Sequence, residues 1–363
     1  MELFGSEMTK TELLQRVGHI NQVLGVQRYT LMEGSADGVE ALEVATGGGL
    51  RFQVLPGRGM DLGWLEYRGV PFAFIGKGGV AHAHLYDPHG AGWLKTFGGG
   101  FLVTCGLTHA GIAEVDGEEE LGLHGRISHM PAWEVQTSTR WEGDAPLIEV
   151  SGKVRESSLH SENLVLTRQI TAYGGARSFQ IADTVTNEGF TPSPLMFIHH
   201  FNLGFPLIGP DSRFIAPILD TEPWEATPEA ARSIASCCEL DDPIPGREDE
   251  VFFHDLVADD GGMTCIGVVN NRLGLGLQLR YNKKEFPLLS QAKIMKPQDY
   301  FVALEPGNCT PEGKARTREK GRLQLLQPQE EVRFSVTVDV VDGQEEIAAL
   351  EERVASIVNR RAK

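Results

Sequence analysis

Residues 331–341, EVRFSVTVDVV, alternate with period two: Phe334, Val336 and Val338 oppose Arg333, Ser335, Thr337 and Asp339. Extended chain is the conformation that turns such a pattern into one apolar and one polar face. Runs of strand length and character recur along the chain: ALEVATG, LRFQVLP, DLGWLEYRG, LIEVSGKVRE, NLVLTRQITAY, SFQIADTVTNEG, TCIGVVNNR, LGLQLRYN and YFVALEPG. With 42 glycines and 19 prolines among 363 residues, turns are plentiful and long helical patterns are few. Helical spacing is confined to the two ends. KTELLQRVG is short, whereas GQEEIAALEERVASIVNRRAK sets Ile347, Leu350, Val354 and Ile357 on one face, acids early and bases late, as the helix dipole favours. Residues 209–250, rich in Pro, Glu and Asp, read as a long excursion or loosely structured insert. Neither an internal repeat nor a low-complexity linker interrupts the chain. The expectation is one large all-β domain over 1–363, a sandwich of sheets too big for an immunoglobulin-like fold.

A net charge of −17 and a pI near 5.1 argue against nucleic acid or an anionic membrane as the main partner, since both select basic surface. A small anionic ligand in a locally basic pocket stays compatible. MELFGSEMTKTELLQRVGHI carries no apolar signal core, and no membrane-length apolar run follows. The five cysteines, Cys105, Cys237, Cys238, Cys265 and Cys309, lack metal-ligand spacing. A cytoplasmic protein with reduced thiols is expected.

Polar residues interrupt apolar segments at a few places. In SPLMFIHHFNLGFPLI, strand alternation puts His200 and Asn202 on one face and His199, Phe201 and Leu203 on the other. A buried imidazole and amide are costly unless paired. PGRGMDLG carries Arg58 and Asp61 in a glycine-rich turn, which would also suit a hairpin with a surface ion pair. FGGGFLVTCGLTHAG places three glycines and His109 where backbone can approach a ligand or another strand. LGLHGRISHMPAWEV offers His124 and Arg126 around a glycine, and YFVALEPGN ends an apolar strand on Glu305, either a general base or a turn opener. His82, His84 and His89 in AHAHLYDPHG could hold a metal, but a carboxylate and a fourth ligand are lacking, so none is assigned.

In combination and order, GRGMDLG, GGGFLVTCGL, LHGRISHMPA, HHFNLGFPLI and ALEPGN resemble the aldose 1-epimerase-like (galactose mutarotase-like) superfamily, and more narrowly its bacterial DUF4432 branch, over about residues 18–342. The resemblance implies a β-supersandwich of large antiparallel sheets with an open cleft on a sheet face. It also implies that His124 of LHGR lies in the site, that His200 is the acid and that Glu305 is the base. Such a site would interconvert sugar anomers by acid–base ring opening, without a cofactor. Arg58, Asp61, Arg126, Asn202, His109 and Lys293 are the expected substrate-binding residues, and the arginines raise the prospect of an acidic or phosphorylated sugar. A carbohydrate-binding protein without turnover, or a sugar carbon epimerase or isomerase using the same cleft, are the alternatives. The expected partner is a small sugar rather than nucleic acid or membrane.

Overall fold

The computed structural model describes residues 1–361. Two antiparallel sheets, one of eight and one of twelve strands, face each other. One apolar core fills the space between them, drawing on residues from Leu3 to Val340. The alternating segment of the C-terminal half forms the strand Glu331–Asp342 inside the eight-stranded sheet, with Phe334, Val336 and Val338 buried as its pattern requires. The C-terminal helix Gln344–Arg361 packs on that sheet's outer face. Its Ile347, Leu350, Val354 and Ile357 meet Val257, Cys265, Val269 and Val341 in a second, smaller apolar cluster. Residues 362 and 363, the end of the segment read as helical, lie outside the described residues. No described helix is long and apolar enough to cross a membrane.

The reading of 209–250 as an insert is corrected by the structure. Ser212–Ile215 is an edge strand of the eight-stranded sheet, paired to Met263–Asn270. Ile218–Pro223 is an edge strand of the other sheet, paired to Glu250–Leu256. The chain therefore crosses from one sheet to the other here before forming the short helix Pro228–Ser233. Edge strands are half solvated and short, so their residues need not be apolar and the composition hides them.

A buried ionic network ties the two layers together. The Arg168 guanidinium donates from Nε and Nη2 to the Asp183 carboxylate at 2.8 and 2.7 Å, and from Nη1 to Thr104 Oγ1 at 3.0 Å. Asp61 Oδ1 stands 3.5 Å from Nη1. From the opposite sheet, His199 Nε2 comes within 2.7 Å of Asp183 Oδ2. Removing one partner of such a set strands a charge in the core, at a cost of about 3–5 kcal/mol.

Candidate active site

Register decides which side chains meet. In the twelve-stranded sheet, Ser193–Gly204 lies between Leu102–Leu107 and Tyr300–Gly307, which in turn pairs with Leu288–Met295. Asn202 sits opposite Ala303, and Glu305 opposite Ser290. Cross-strand partners share a face, as do residues two apart. His200, Asn202, Ser290 and Glu305 thus leave the sheet on the side away from the core, while His199 enters the core network described above. His200 Nε2 is 3.5 Å from Glu305 Oε1.

His124 arrives from a loop. Its backbone is left-handed, with φ +58°, and Gly125 follows at +70°. Gly106 N donates to His124 O, and a Cβ on Gly125 would fall 2.3 Å from His109 O and 2.5 Å from Gly106 O. Glycine is needed there because the loop lies directly against the strand Leu102–Leu107. The contact brings the His124 ring to 5.6 Å from that of His200, nearly perpendicular at 88°.

The resemblance implied an open cleft; the structure shows a covered one. Trp93 and Phe97, stacked at 4.6 Å, form a roof, with Trp93 4.8 Å from the His124 ring and Phe97 6.0 Å from the His200 ring. Beneath it His200 is 7% and Glu305 3% exposed. Six buried polar atoms around this roof and face have no hydrogen-bond partner: Trp93 Nε1, His124 Nδ1, His200 Nδ1, Asn202 Oδ1, Ser290 Oγ and Glu305 Oε2. Native interiors leave few such groups unsatisfied, so a concentration of them marks a place built for something polar. Other unpartnered atoms, His199 Nδ1 among them, lie elsewhere in the chain.

Burial also sets the protonation states. It raises the Glu305 carboxyl above the ordinary carboxylate range, with the nearby His200 imidazole opposing. His124 is held well below the usual imidazole range by burial, then by His200 and His109. Burial lowers His109 to about 4, against the pull of its bond to the Ile112 carbonyl. At neutral pH, His124 and His109 are therefore uncharged, and Glu305 is a stronger proton acceptor than a surface carboxylate.

Four of the expected substrate-binding residues are not free to bind. Arg58, far from forming a surface pair with Asp61, is buried; its guanidinium donates to the carbonyls of Ser128 at 2.8 Å and Thr96 at 3.3 Å and also to that of Ala81. It ties down the loop that carries the roof. Asp61 accepts from Thr104 N at 3.0 Å and Oγ1 at 2.6 Å and faces Arg168 in the core. Arg126 is held by Glu162 and, at 3.7 Å, by Glu156. Lys293 lies on the opposite face of its strand from Ser290 and Ala292, buried 3.3 Å from Glu250. Asn202 is in the site, though its Nδ2 is committed to the Gly100 and His200 carbonyls at 3.0 Å each. His109 has its Nε2 on the Ile112 carbonyl at 3.0 Å and its Nδ1 3.5 Å from Glu114 Oε1.

Trp93, Phe97 and Ser290 escaped the sequence reading. The aromatic pair in GWLKTFGGG, two large rings in a glycine-rich stretch without strand alternation, was the available signal for the roof; Ser290 is found only through register. The His82 and His84 rings lie 4.0 Å apart, but His89 pairs with Glu120. Among the described residues no group of three or more His, Cys, Asp or Glu is placed to hold a metal ion.

No curated protein sequence matches the chain. Among solved structures it is similar to a candidate aldose 1-epimerase from Klebsiella pneumoniae subsp. pneumoniae MGH 78578, at 25% identity and TM-score 0.87 over 92% of this chain and 87% of that one. It shares its fold with a galactose mutarotase-like protein from Clostridium acetobutylicum (14% identity, TM-score 0.61, 89% of this chain and 100% of that one). The same holds for a galactose 1-epimerase from Lactobacillus acidophilus NCFM (12% identity, TM-score 0.56, 88% and 100%). Residues 36–340 match a family model described as a domain of unknown function, DUF4432, and with that match spanning most of both sheets the chain belongs to the DUF4432 family, on a galactose mutarotase-like fold.

Proposed function

We propose that the chain, acting as one mutarotase-like domain, is an isomerase that interconverts the anomers of a neutral reducing sugar. The carrying observation is the convergence of unpartnered polar atoms on Glu305, His200 and His124 beneath an aromatic roof. Glu305 removes the proton of the C1 hydroxyl as His200 donates one to the ring oxygen. The bond from C1 to the ring oxygen breaks, the C1 carbonyl forms, rotation about C1–C2 exposes its other face, and closure returns both protons along the reverse path. Atoms and charge balance without a cofactor. General acid and base each contribute about 10²–10⁴-fold. His124, neutral in its buried setting, positions the ring oxygen or a neighbouring hydroxyl rather than supplying charge.

The preference for a neutral sugar follows from the cations. Arg58 is used by carbonyls, while Arg126 and Lys293 each have carboxylate partners. None is left to neutralise an acidic or phosphorylated substrate. The test is anomer exchange followed by NMR saturation transfer over neutral sugars, uronic acids and sugar phosphates. Accelerated exchange of neutral sugars supports the reading. Binding without acceleration would assign a carbohydrate-binding role instead.

A further inference from the structure

Beside the roof opens a cavity of about 630 Å³. Phe74, Ile294 and Phe301 line it, together with Phe97 and the exposed side chains of Leu85 and Leu94. Phe74 and Phe301 stack on each other at 4.4 Å and 19°, each less than a tenth exposed. Two ion pairs sit at its polar edge, Lys77 with Asp299 at 2.8 Å and Lys296 with Asp249 at 2.6 Å. Phe97 is shared with the catalytic pocket: its ring lies 6.2 Å from Phe301 and 6.0 Å from His200. Phe301 and Glu305 are four residues apart on one face of one strand, about 13 Å along it. The cavity therefore continues the site at the distance of a second or third sugar ring.

We infer that this cavity is a subsite for a further sugar ring, and that the preferred substrate is a reducing oligosaccharide rather than a monosaccharide. The inference rests on the anomer-exchange reading above. Ring opening requires a free hydroxyl at C1, so whatever fills the cavity must be attached through another position of the reacting sugar. Lys95 on the same lining is paired with Asp87 at 2.7 Å, so a phosphate or carboxylate there would compete with Asp87, Asp249 and Asp299 for lysines already paired. A glycosyl unit meets both halves of the cavity: its C–H face lies on Leu85, Leu94 and Phe97 and its hydroxyls reach the ion pairs and the backbone of residues 76–79. Leucines exposed at 48% and 58% beside a polar rim fit a surface that a ligand covers.

Anomer exchange of glucose and galactose is to be compared with that of maltose, lactose and maltotriose, all with the full chain. The expected result is a kcat/KM for the best oligosaccharide about ten-fold above that of its reducing-end monosaccharide, the effect of one good aromatic contact. Gly78→Trp fills the cavity from its wall, where an added Cβ meets nothing within 4 Å. It should bring that ratio to about one; Leu85→Trp is the second block should the first variant fail to fold. A wild-type ratio near one, or a ratio that both blocks leave unchanged, overturns the subsite while leaving anomer exchange standing. If none of these sugars exchanges faster with the protein than without it, the anomer-exchange reading fails and the subsite with it.

Discussion

Glu305→Gln separates the chemistry of the carboxylate from its structural cost. The side chain is 3% exposed, Oε2 has no partner, and the one group near Oε1 is His200 at 3.5 Å. Ionising it there is unfavourable, so its folded pKa lies above the unfolded value of 4.5. Between those two values the native state keeps a proton that the unfolded chain has lost. Stability therefore falls as pH rises through that window. Each unit of upward displacement corresponds to about 1.4 kcal/mol. Glutamine has the same shape and no charge. At pH 7 the variant should be more stable than wild type, with a higher denaturation midpoint. At pH 4 wild type also holds the proton, and the difference should shrink towards zero. Anomer exchange should fall about 10²-fold or more at pH 7, and the gap should narrow at pH 4, where the protonated wild-type carboxyl is no longer a base. Denaturant titrations at the two pH values and NMR exchange on the same samples give both readouts. A variant less stable than wild type at pH 7, or a stability gap that ignores pH, refutes the burial argument; exchange retained within a few-fold removes Glu305 as the base.

Arg58→Lys should loosen the roof, because an ammonium cannot span the Ser128, Ala81 and Thr96 carbonyls as the guanidinium does; a red shift in the emission of Trp93 and a KM that rises more than kcat falls are the expected signs. His124→Asn should fold, since asparagine tolerates the left-handed backbone, yet lose about ten-fold or more in exchange. Its stability should also decline less steeply than wild type as pH drops below 6.5, because the unfolded imidazole takes up a proton there that the folded one refuses. His200→Asn should cost exchange as Glu305→Gln does at little cost in stability, whereas His199→Asn should lower the denaturation midpoint by breaking the contact with Asp183 and leave less of a mark on kcat.

The strands were legible because each carries its own evidence. Glu331–Asp342 alternates so strictly that its buried face can be named residue by residue, and the helix Gln344–Arg361 announces its apolar stripe in the same way. The proposed acid–base residues stood out for a related reason: an isolated His or Glu in an apolar strand contradicts its surroundings. Charged residues near glycines were misleading. Arg58, Asp61 and Lys293 resemble ligand-binding groups in one dimension, but their partners are at sequence distances that local pattern cannot span: Ser128 lies 70 residues from Arg58. Arg168 lies on a different strand from Asp61, and Glu250 across a strand pair from Lys293. Whether a buried charge serves a ligand or the core depends on what completes it, and that is a property of register. The roof was hidden for the opposite reason, since Trp93 and Phe97 sit in a stretch with no periodicity to say which way it faces.

His199 and His200 show how little sequence separates the two outcomes. Both are imidazoles in the same apolar strand, both are nearly inaccessible, and one residue of alternation sends them to opposite sides of the sheet. The inward ring meets Asp183 and Arg168 at 2.7 and 3.2 Å, and burial lowers its pKa against the pull of that carboxylate. Its Nε2 is fixed by groups that are themselves fixed. The outward ring has one carboxylate at 3.5 Å, too far for a good hydrogen bond, and an unpartnered Nδ1. A one-residue slip of this strand would turn Phe197, Phe201 and Leu203 out of the core and bring Ile198 or His200 to the place of His199, disturbing the contact with Asp183 while the Arg168–Asp183 pair stays intact. The buried network thus does more than join the sheets. Together with the apolar face it disfavours the slipped register and holds His200 on the face that carries Glu305, and so the ionic core and the candidate site are specified by the same strand pairing.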